Sequence, residues 1–130
     1  MDIGMKDLLR TQAELQDKYL EKWGGVSPQK GRDHLLWMLS ECGEVIDIIK
    51  KMGDEAIMDD PGVRAHFTEE MVDVLMYFGA VLLCYGIQPE EFSEAYLKKH
   101  AHNMKRDWDM ELARMREGMH EEGTQPCAQG

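Results

Sequence analysis

Residues 71–87 constrain the fold most, because Asp73 is the only charged residue among them. Apolar side chains occur on every side of a helix drawn through this stretch, so the helix must be surrounded by other parts of the protein. One small bundle rarely surrounds a helix completely. We therefore predict that this helix is central in its own chain and also packs against another subunit.

Four segments have helical periodicity and are separated by glycine or proline. They are residues 3–23, 32–52, 66–86 and 89 to about 117. We predict an acidic loop over residues 54–65, with a loop that includes a turn of helix as the alternative, and a helix cap at Thr68. Since short connections favour antiparallel neighbours, the chain is predicted to be an all-α, four-helix-bundle subunit over residues 1–117. Residues 118–130 are predicted to be a disordered tail.

Charge and cysteine content limit the classes of partner. The formal net charge of -10 argues against binding to nucleic acid or to an anionic membrane surface. Charged residues make up 31% of the chain, which is not typical of a membrane protein. The three cysteines, Cys42, Cys84 and Cys127, are widely spaced and follow no metal-ligand pattern. We expect a cytoplasmic protein with free thiols.

Two glutamates of the second predicted helix lie where apolar residues are expected. The helix carries an apolar stripe, which comprises Leu35, Leu39, Cys42, Ile46 and Ile49. Glu41 and Glu44 do not belong to its polar arc, and they interleave with apolar Trp37, Val45 and Ile48. An acidic face exposed to solvent does not have this pattern.

Four carboxylates therefore form a candidate metal site. Glu41 and Glu44 are three residues apart, as are Glu70 and Asp73, so each pair shares one face of a helix. Either pair alone is typical of a partly exposed helix flank, but two pairs in apolar surroundings favour a bound cation. Hard oxygen ligands suit Mg²⁺, with Mn²⁺ as a substitute. These four acids are the predicted catalytic and metal-binding residues.

The fourth predicted helix offers groups for a phosphorylated ligand. Lys99, Asn103 and Arg106 follow one another at i, i+4 and i+7, and share a face. Together with a metal they suit attack of water on a phosphoanhydride; without the acids they are typical of a solvated surface. For Trp23 and Trp37 we expect packing in the core or an interface, with stacking on a base as the alternative.

The order of these motifs resembles the MazG-like nucleotide pyrophosphohydrolases, of the all-α NTP pyrophosphatase superfamily. The resemblance covers residues 22–108. It rests on Glu41-x-x-Glu44, Glu70-x-x-Asp73, and then Lys99, Asn103 and Arg106. Cys42 and His102 depart from the family pattern, in which an acid and a lysine are expected.

The resemblance implies a homodimer or homotetramer that hydrolyses a nucleoside triphosphate between its α and β phosphates with Mg²⁺. It also implies residue roles. The metal ligands would be Glu41, Glu44, Glu70 and Asp73, and the phosphate contacts would be Lys99, Asn103 and Arg106. One of these acids, or the neighbouring Glu69, would orient or deprotonate the water.

Three alternatives stay open from the sequence. One is phosphoribosyl-ATP pyrophosphatase, from the same superfamily. Another is a catalytically silent helical interaction protein, since an apolar helix explains oligomerisation without chemistry. The third, a di-iron carboxylate protein, is disfavoured because such bundles use Glu-x-x-His pairs, whereas Glu44 and Asp73 stand at those positions.

Overall fold

The structure is a computed structural model that describes residues 1–122, with the side chains of residues 1–120. These residues form seven helices and no strand, which confirms the all-α prediction. The helices are α1 (Met5–Lys18), α2 (Leu20–Trp23), α3 (Pro28–Met52), α4 (Asp54–Asp59), α5 (Pro61–Cys84), α6 (Pro89–Lys105) and α7 (Trp108–Glu122). Over the described length, no single helix is both long and apolar enough to cross a membrane; α5 and α6 meet that criterion only as a bent pair, on length and composition alone.

The chain divides into an N-terminal unit, Met1–Ser93, and a C-terminal unit that begins at Glu94. The core of the N-terminal unit lies where α5 packs against α1, α3 and α4, so α5 is its central helix. Its buried apolar side chains are Leu9, Val45, Ile48, Ile57, Ala80, Leu82 and Cys84. The early part of α3 lies beside the late part of α5, since the His34 and Tyr77 rings are 6.0 Å apart. The two helices are therefore antiparallel.

Two helices begin earlier than their periodicity predicts. Ser27 caps α3 by accepting a hydrogen bond from the Lys30 amide, and Pro28 takes the first helical position, four residues before the predicted start. Asp60 caps α5 in the same way, accepting from the amides of Gly62 and Val63 at 2.9 and 3.2 Å. In both cases the helix begins with a capping residue and proline, ahead of its first regular apolar turn.

The segment 54–65, predicted as a loop with at most a turn of helix, is helical except at Asp60. It contains the whole of α4 and the first turn of α5, because Asp60 and the proline that follows it start a helix. The cap predicted at Thr68 is also wrong. Its hydroxyl donates to the Arg64 carbonyl at 2.9 Å, within the helix.

The predicted fourth helix is two helices. Asp107 separates α6 from α7 and caps the second of them by accepting a hydrogen bond from the Met110 amide at 3.0 Å. Residues 118–122, predicted as tail, belong to α7. The rest of the predicted tail lies outside the described residues.

The apolar stripe of α3 is exposed. Leu35, Leu39 and Ile46 are 47%, 60% and 54% exposed, while the buried face of the helix carries Val45 and Ile48. The core therefore uses a different face of α3 from the one with the longest row of apolar residues. An exposed row of this kind is typical of a surface that binds another protein.

Glycine is required at the joint between α3 and α4, and this gives a stability prediction. Gly53 has φ 82° and ψ 162°, a conformation essentially restricted to glycine. We expect Gly53→Ala to lower the free energy of unfolding by about 1–3 kcal/mol, although the space around it is open. Gly43 is the matched control, since it also has open space but lies inside α3. Urea denaturation should show Gly43→Ala stabilised by up to about 1 kcal/mol. An equal change in the free energy of unfolding for Gly53→Ala and Gly43→Ala would contradict the prediction.

Candidate active site

Three of the four predicted acids come together between α3 and α5. Glu41, Glu70 and Asp73 each place a carboxylate oxygen within 4.8 Å of the others, and all three side chains are partly buried. We call these three residues the acidic cluster. Among the described residues, none of them forms an ion pair with lysine or arginine; His66 Nδ1 lies 4.0 Å from Glu70 Oε1. A divalent cation would balance their charge with the oxygen ligands that Mg²⁺ prefers.

Glu44 does not join the acidic cluster. It is exposed on α3, one turn beyond Glu41. Its charge still acts on Glu41, whose pKa it helps to raise. The structure thus separates the four acids into three that converge and one that stands beside them.

Mutual repulsion is visible at Glu41. Partial burial raises the pKa of this carboxyl above its ordinary 4.5, and the neighbouring charges of Asp73, Glu44 and Glu70 raise it further. The cluster is therefore unfavourable when fully ionised and without a cation. Its arrangement is suited to binding a positive charge rather than to holding the helices together.

The raised pKa predicts a pH dependence of stability. Because the folded chain favours protonated Glu41, this residue stabilises the fold below pH 4.5, and the contribution is lost as pH rises through the folded-state pKa. As pH rises from 4.5 through the folded-state pKa of Glu41, we expect the free energy of unfolding of the metal-free protein to fall, and Mg²⁺ to reduce this fall. Denaturation at several pH values, with and without Mg²⁺, measures the free energy of unfolding.

The control for this pH effect is Glu41→Gln, which cannot ionise at that position. Its stability relative to the native sequence should increase as pH rises through the window. A difference between the two proteins that is independent of pH would contradict the prediction.

A cavity of about 490 Å³ adjoins the acidic cluster, within the N-terminal unit. Its volume is within the range of about 300–1,000 Å³ that is usual for small-molecule sites. The side chains that line it are those of Gln12, Leu15, Gln16, Lys22, Trp23, Lys30, Asp33, His34, Trp37, Asp73, Met76 and Tyr77. Asp73 belongs both to the cluster and to the cavity, so one ligand can reach both.

Aromatic rings form part of the cavity wall. Trp37 and Tyr77 meet edge to face at 6.1 Å, and the His34 ring lies 5.7 Å from Trp37. Trp23 also lines the cavity and packs against Tyr19 at 4.6 Å. Both tryptophans considered for base stacking are therefore on the wall of the same cavity.

Two lysines line the cavity and were not identified from the sequence. Lys30 donates from Nζ to the Trp23 carbonyl at 2.5 Å, which ties α3 to the end of α2. Lys22 lies on α2 and also faces the cavity. Burial lowers the pKa of the His34 imidazole, and the nearby charge of Lys30 lowers it further. Nothing in the spacing of these lysines distinguishes them from surface residues.

The predicted phosphate contacts belong to the C-terminal unit. Lys99 and Asn103 are on α6, but Arg106 lies just beyond its end, so the three do not share one helix. Arg106 pairs with Glu111, and its guanidinium lies 4.3 Å from the Trp108 ring centre. The prediction of a continuous basic face is wrong at Arg106, because the helix ends at Lys105.

Comparisons with protein-family models, with curated proteins and with solved structures found no match for this chain. The features of the chain that bear on function are therefore the acidic cluster, the cavity beside it and the sequence motifs.

Proposed function

We propose that this protein is a Mg²⁺-dependent nucleotide pyrophosphohydrolase of the MazG-like type. It would cleave a ribo- or deoxyribonucleoside triphosphate between the α and β phosphates, giving the monophosphate and pyrophosphate. The observation that carries the proposal is the convergence of Glu41, Glu70 and Asp73, with Asp73 also lining a cavity of suitable size for a small molecule. The resemblance of the motif order to that family supports it.

The acidic cluster would hold the metal through three carboxylates. Bound there, Mg²⁺ would neutralise charge on the phosphates and acidify a water molecule. By holding the metal, Glu41, Glu70 and Asp73 would fix the position of the phosphate chain beside the cavity that Asp73 lines. Mn²⁺ would substitute, since it also prefers oxygen ligands.

The reaction needs a base that is not a metal ligand. Glu44 suits this role because it stands beside the cluster without joining it. It would take a proton from water as the water oxygen bonds to the α phosphorus. The bond from that phosphorus to the bridging oxygen breaks, and pyrophosphate leaves. Glu69, exposed on α5, is the other acid near the cluster along the chain.

Positive groups for the phosphates are proposed from two places. Lys22 and Lys30 line the cavity that Asp73 also lines. Lys99, Asn103 and Arg106 stay a prediction from the sequence, since they belong to the other unit.

The function is tested by measuring pyrophosphate release from a panel of canonical and modified NTPs with Mg²⁺. We expect release from at least one member and none when EDTA replaces the metal. Phosphoribosyl-ATP belongs in the panel, because exclusive activity on it would assign the alternative reaction. No release from any member by folded, Mg²⁺-loaded protein would reject hydrolysis and favour a non-catalytic interaction protein.

A further inference from the structure

Apolar residues of α7 repeat at the spacing of a coiled coil. They are separated by four, three and four residues, and comprise Trp108, Leu112, Met115 and Met119. We call these four residues the α7 stripe. This spacing places them in one narrow row along the helix, and a row of this kind normally packs against the matching row of a second helix.

The α7 stripe is open to solvent. Its four side chains are between 48% and 66% exposed, and from Trp108 to His120 only Glu111 is not exposed. The side of the helix opposite the stripe is charged, since Glu117 lies there about half a turn away. Single exposed apolar residues are normal on a protein surface, but four in one row are typical of a surface that binds another helix.

Two charged residues flank the α7 stripe on the same side. Asp109 directly follows Trp108 and Arg116 directly follows Met115, so both have the same position relative to the stripe. Both are exposed, and within residues 1–120 neither forms an ion pair. The flank is therefore negative near the start of α7 and positive near its end.

This charge pattern is complementary to itself when two copies of α7 lie antiparallel. In that orientation the equivalent flanking positions of two helices face each other, so Asp109 of each copy lies opposite Arg116 of the other. In a parallel pair, the residue facing Asp109 would precede α7. Flanking charges of this kind set the orientation and the choice of partner in coiled coils. They therefore favour a second copy of this chain, in antiparallel orientation, as the partner of α7.

The apolar side chains fit the same orientation. An antiparallel pair places Trp108 of one copy opposite Met119 of the other, and Leu112 opposite Met115. Contacts between a methionine sulfur and an aromatic ring are favourable, and the unbranched methionine side chain adapts to irregular neighbours. The α7 stripe thus has large side chains at one end and flexible ones at the other, which complement each other in an antiparallel pair.

The α7 stripe is short. At 1.5 Å per residue it is about 16 Å long. Since stable interfaces bury more than about 1,000 Å² in total, four residues from each copy are too few to hold two chains together alone. Pairing of α7 therefore acts in an oligomer that another surface also holds together, for which the exposed apolar stripe of α3 is available.

We propose that α7 pairs with α7 of a second copy of this chain, antiparallel, through the α7 stripe and two ion pairs between Asp109 and Arg116. The interface is isologous, because the same residues of both copies meet across a two-fold axis. It includes no residue of the acidic cluster or of the cavity beside it. The inference is therefore independent of nucleotide hydrolysis.

The test exchanges the flanking charges and measures association of the full chain by sedimentation. Asp109→Arg and Arg116→Asp each place like charges opposite one another twice, so each variant should associate about tenfold more weakly than the native sequence. A mixture of the two variants should regain the native strength, because each copy then supplies the charge that the other lacks. Mixing cannot repair damage within one chain, so recovery would come from contact between copies.

General repulsion predicts a different result for the two charge variants. On a chain with a net charge of -10, Asp109→Arg would by itself favour association and Arg116→Asp would oppose it. Weakening in both variants is therefore specific to the local pairing. Glu117→Arg is the matched control, since it makes a similar change of charge on the opposite side of α7, and it should not weaken association.

The apolar contact is tested with two methionines of the same helix. Met115→Gln, in the α7 stripe, should weaken association about tenfold. Met110→Gln should leave it unchanged, because Met110 is 53% exposed but lies outside the stripe. All the substituted side chains are exposed, so circular dichroism should show native helical content in every variant.

Three results would each overturn the inference. They are a native chain that sediments as a monomer, a mixture of Asp109→Arg and Arg116→Asp that associates as weakly as its components, and equal effects of Met115→Gln and Met110→Gln. Pyrophosphate release decides the proposed function separately in every case. Release by a chain in which α7 does not pair would keep the function and reject the interface.

Discussion

Replacing Asp73 with asparagine is expected to abolish Mg²⁺-dependent turnover, with a loss of more than about 100-fold. Asp73 is the residue shared by the acidic cluster and the cavity, so it would hold the metal where the phosphates reach it. Changes to groups that only support metal ligands already cost about 10–100-fold in affinity or activity. Loss of a carboxylate that would itself bind the metal should exceed that.

The same substitution is expected to leave the metal-free protein as stable as before, or to stabilise it. Asp73→Asn removes one of three negative charges whose ligand oxygens lie within 4.8 Å of one another, and it removes a cause of the raised pKa of Glu41. Sites built for function commonly carry such a cost in stability. For the native sequence, Mg²⁺ at 100 times its Kd should add about 2.7 kcal/mol to the free energy of unfolding. The variant should lose this gain.

Asp47→Asn is the matched control for Asp73→Asn. Asp47 is an exposed carboxylate of α3 that pairs with Lys51 at 3.8 Å; it does not belong to the cluster and is not among the charges that raise the pKa of Glu41. Turnover and stabilisation by Mg²⁺ should both be unchanged in it. If Asp73→Asn lowered the stability of the metal-free protein and kept its response to Mg²⁺, the carboxylate would be structural, and the metal site would be rejected.

The part of the fold that the sequence predicts best depends on long-range periodicity. An apolar stretch with Asp73 as its single charge predicted a central helix, and α5 does pack against α1, α3 and α4, although Met71, Leu75 and Met76 are 43–47% exposed. The boundaries were predicted less well, since they depend on single capping residues. Ser27 and Asp60 each precede a proline, and both begin a helix that the apolar pattern shows only a turn later.

The acidic residues of the site could be predicted from the sequence, because a charged residue among apolar neighbours is recognisable within a single helix. Which acids converge could not be predicted, since Glu41 and Glu44 lie three residues apart on one side of α3, and the packing of α5 against α3 brings only Glu41 into the cluster. The cavity half was missed, although one signal existed. Gln12 and Gln16 follow buried Leu9 at i+3 and i+7, so they are polar residues on the buried face of α1.

Replacing Leu39 with glutamate is expected to convert an oligomer into a monomer. Leu39 is 60% exposed in the middle of the α3 stripe, with Leu35 at 47% and Ile46 at 54% on the same face. Soluble monomers rarely expose long apolar surfaces, so a second copy of the chain is the proposed cover for this face. A charge at its centre would be desolvated without a partner, at a cost of several kcal/mol.

Sedimentation of the native sequence and of Leu39→Glu measures the effect directly. We expect a dimer or tetramer for the first and a monomer for the second at the same concentration, with a lower Tm because the stabilisation from association is lost. Met58→Glu is the control, since Met58 is 67% exposed and belongs to α4 and not to the α3 stripe, and its variant should stay oligomeric.

Comparing the native sequence with both variants separates loss of apolar contact from added charge as the cause of dissociation. If the native chain sediments as a monomer, a second copy does not cover α3, and the proposal of a homo-oligomer fails. If both Leu39→Glu and Met58→Glu dissociate, the cause is added negative charge on a chain that already carries -10, and not loss of apolar contact. Only selective dissociation of Leu39→Glu assigns the interface to the α3 stripe.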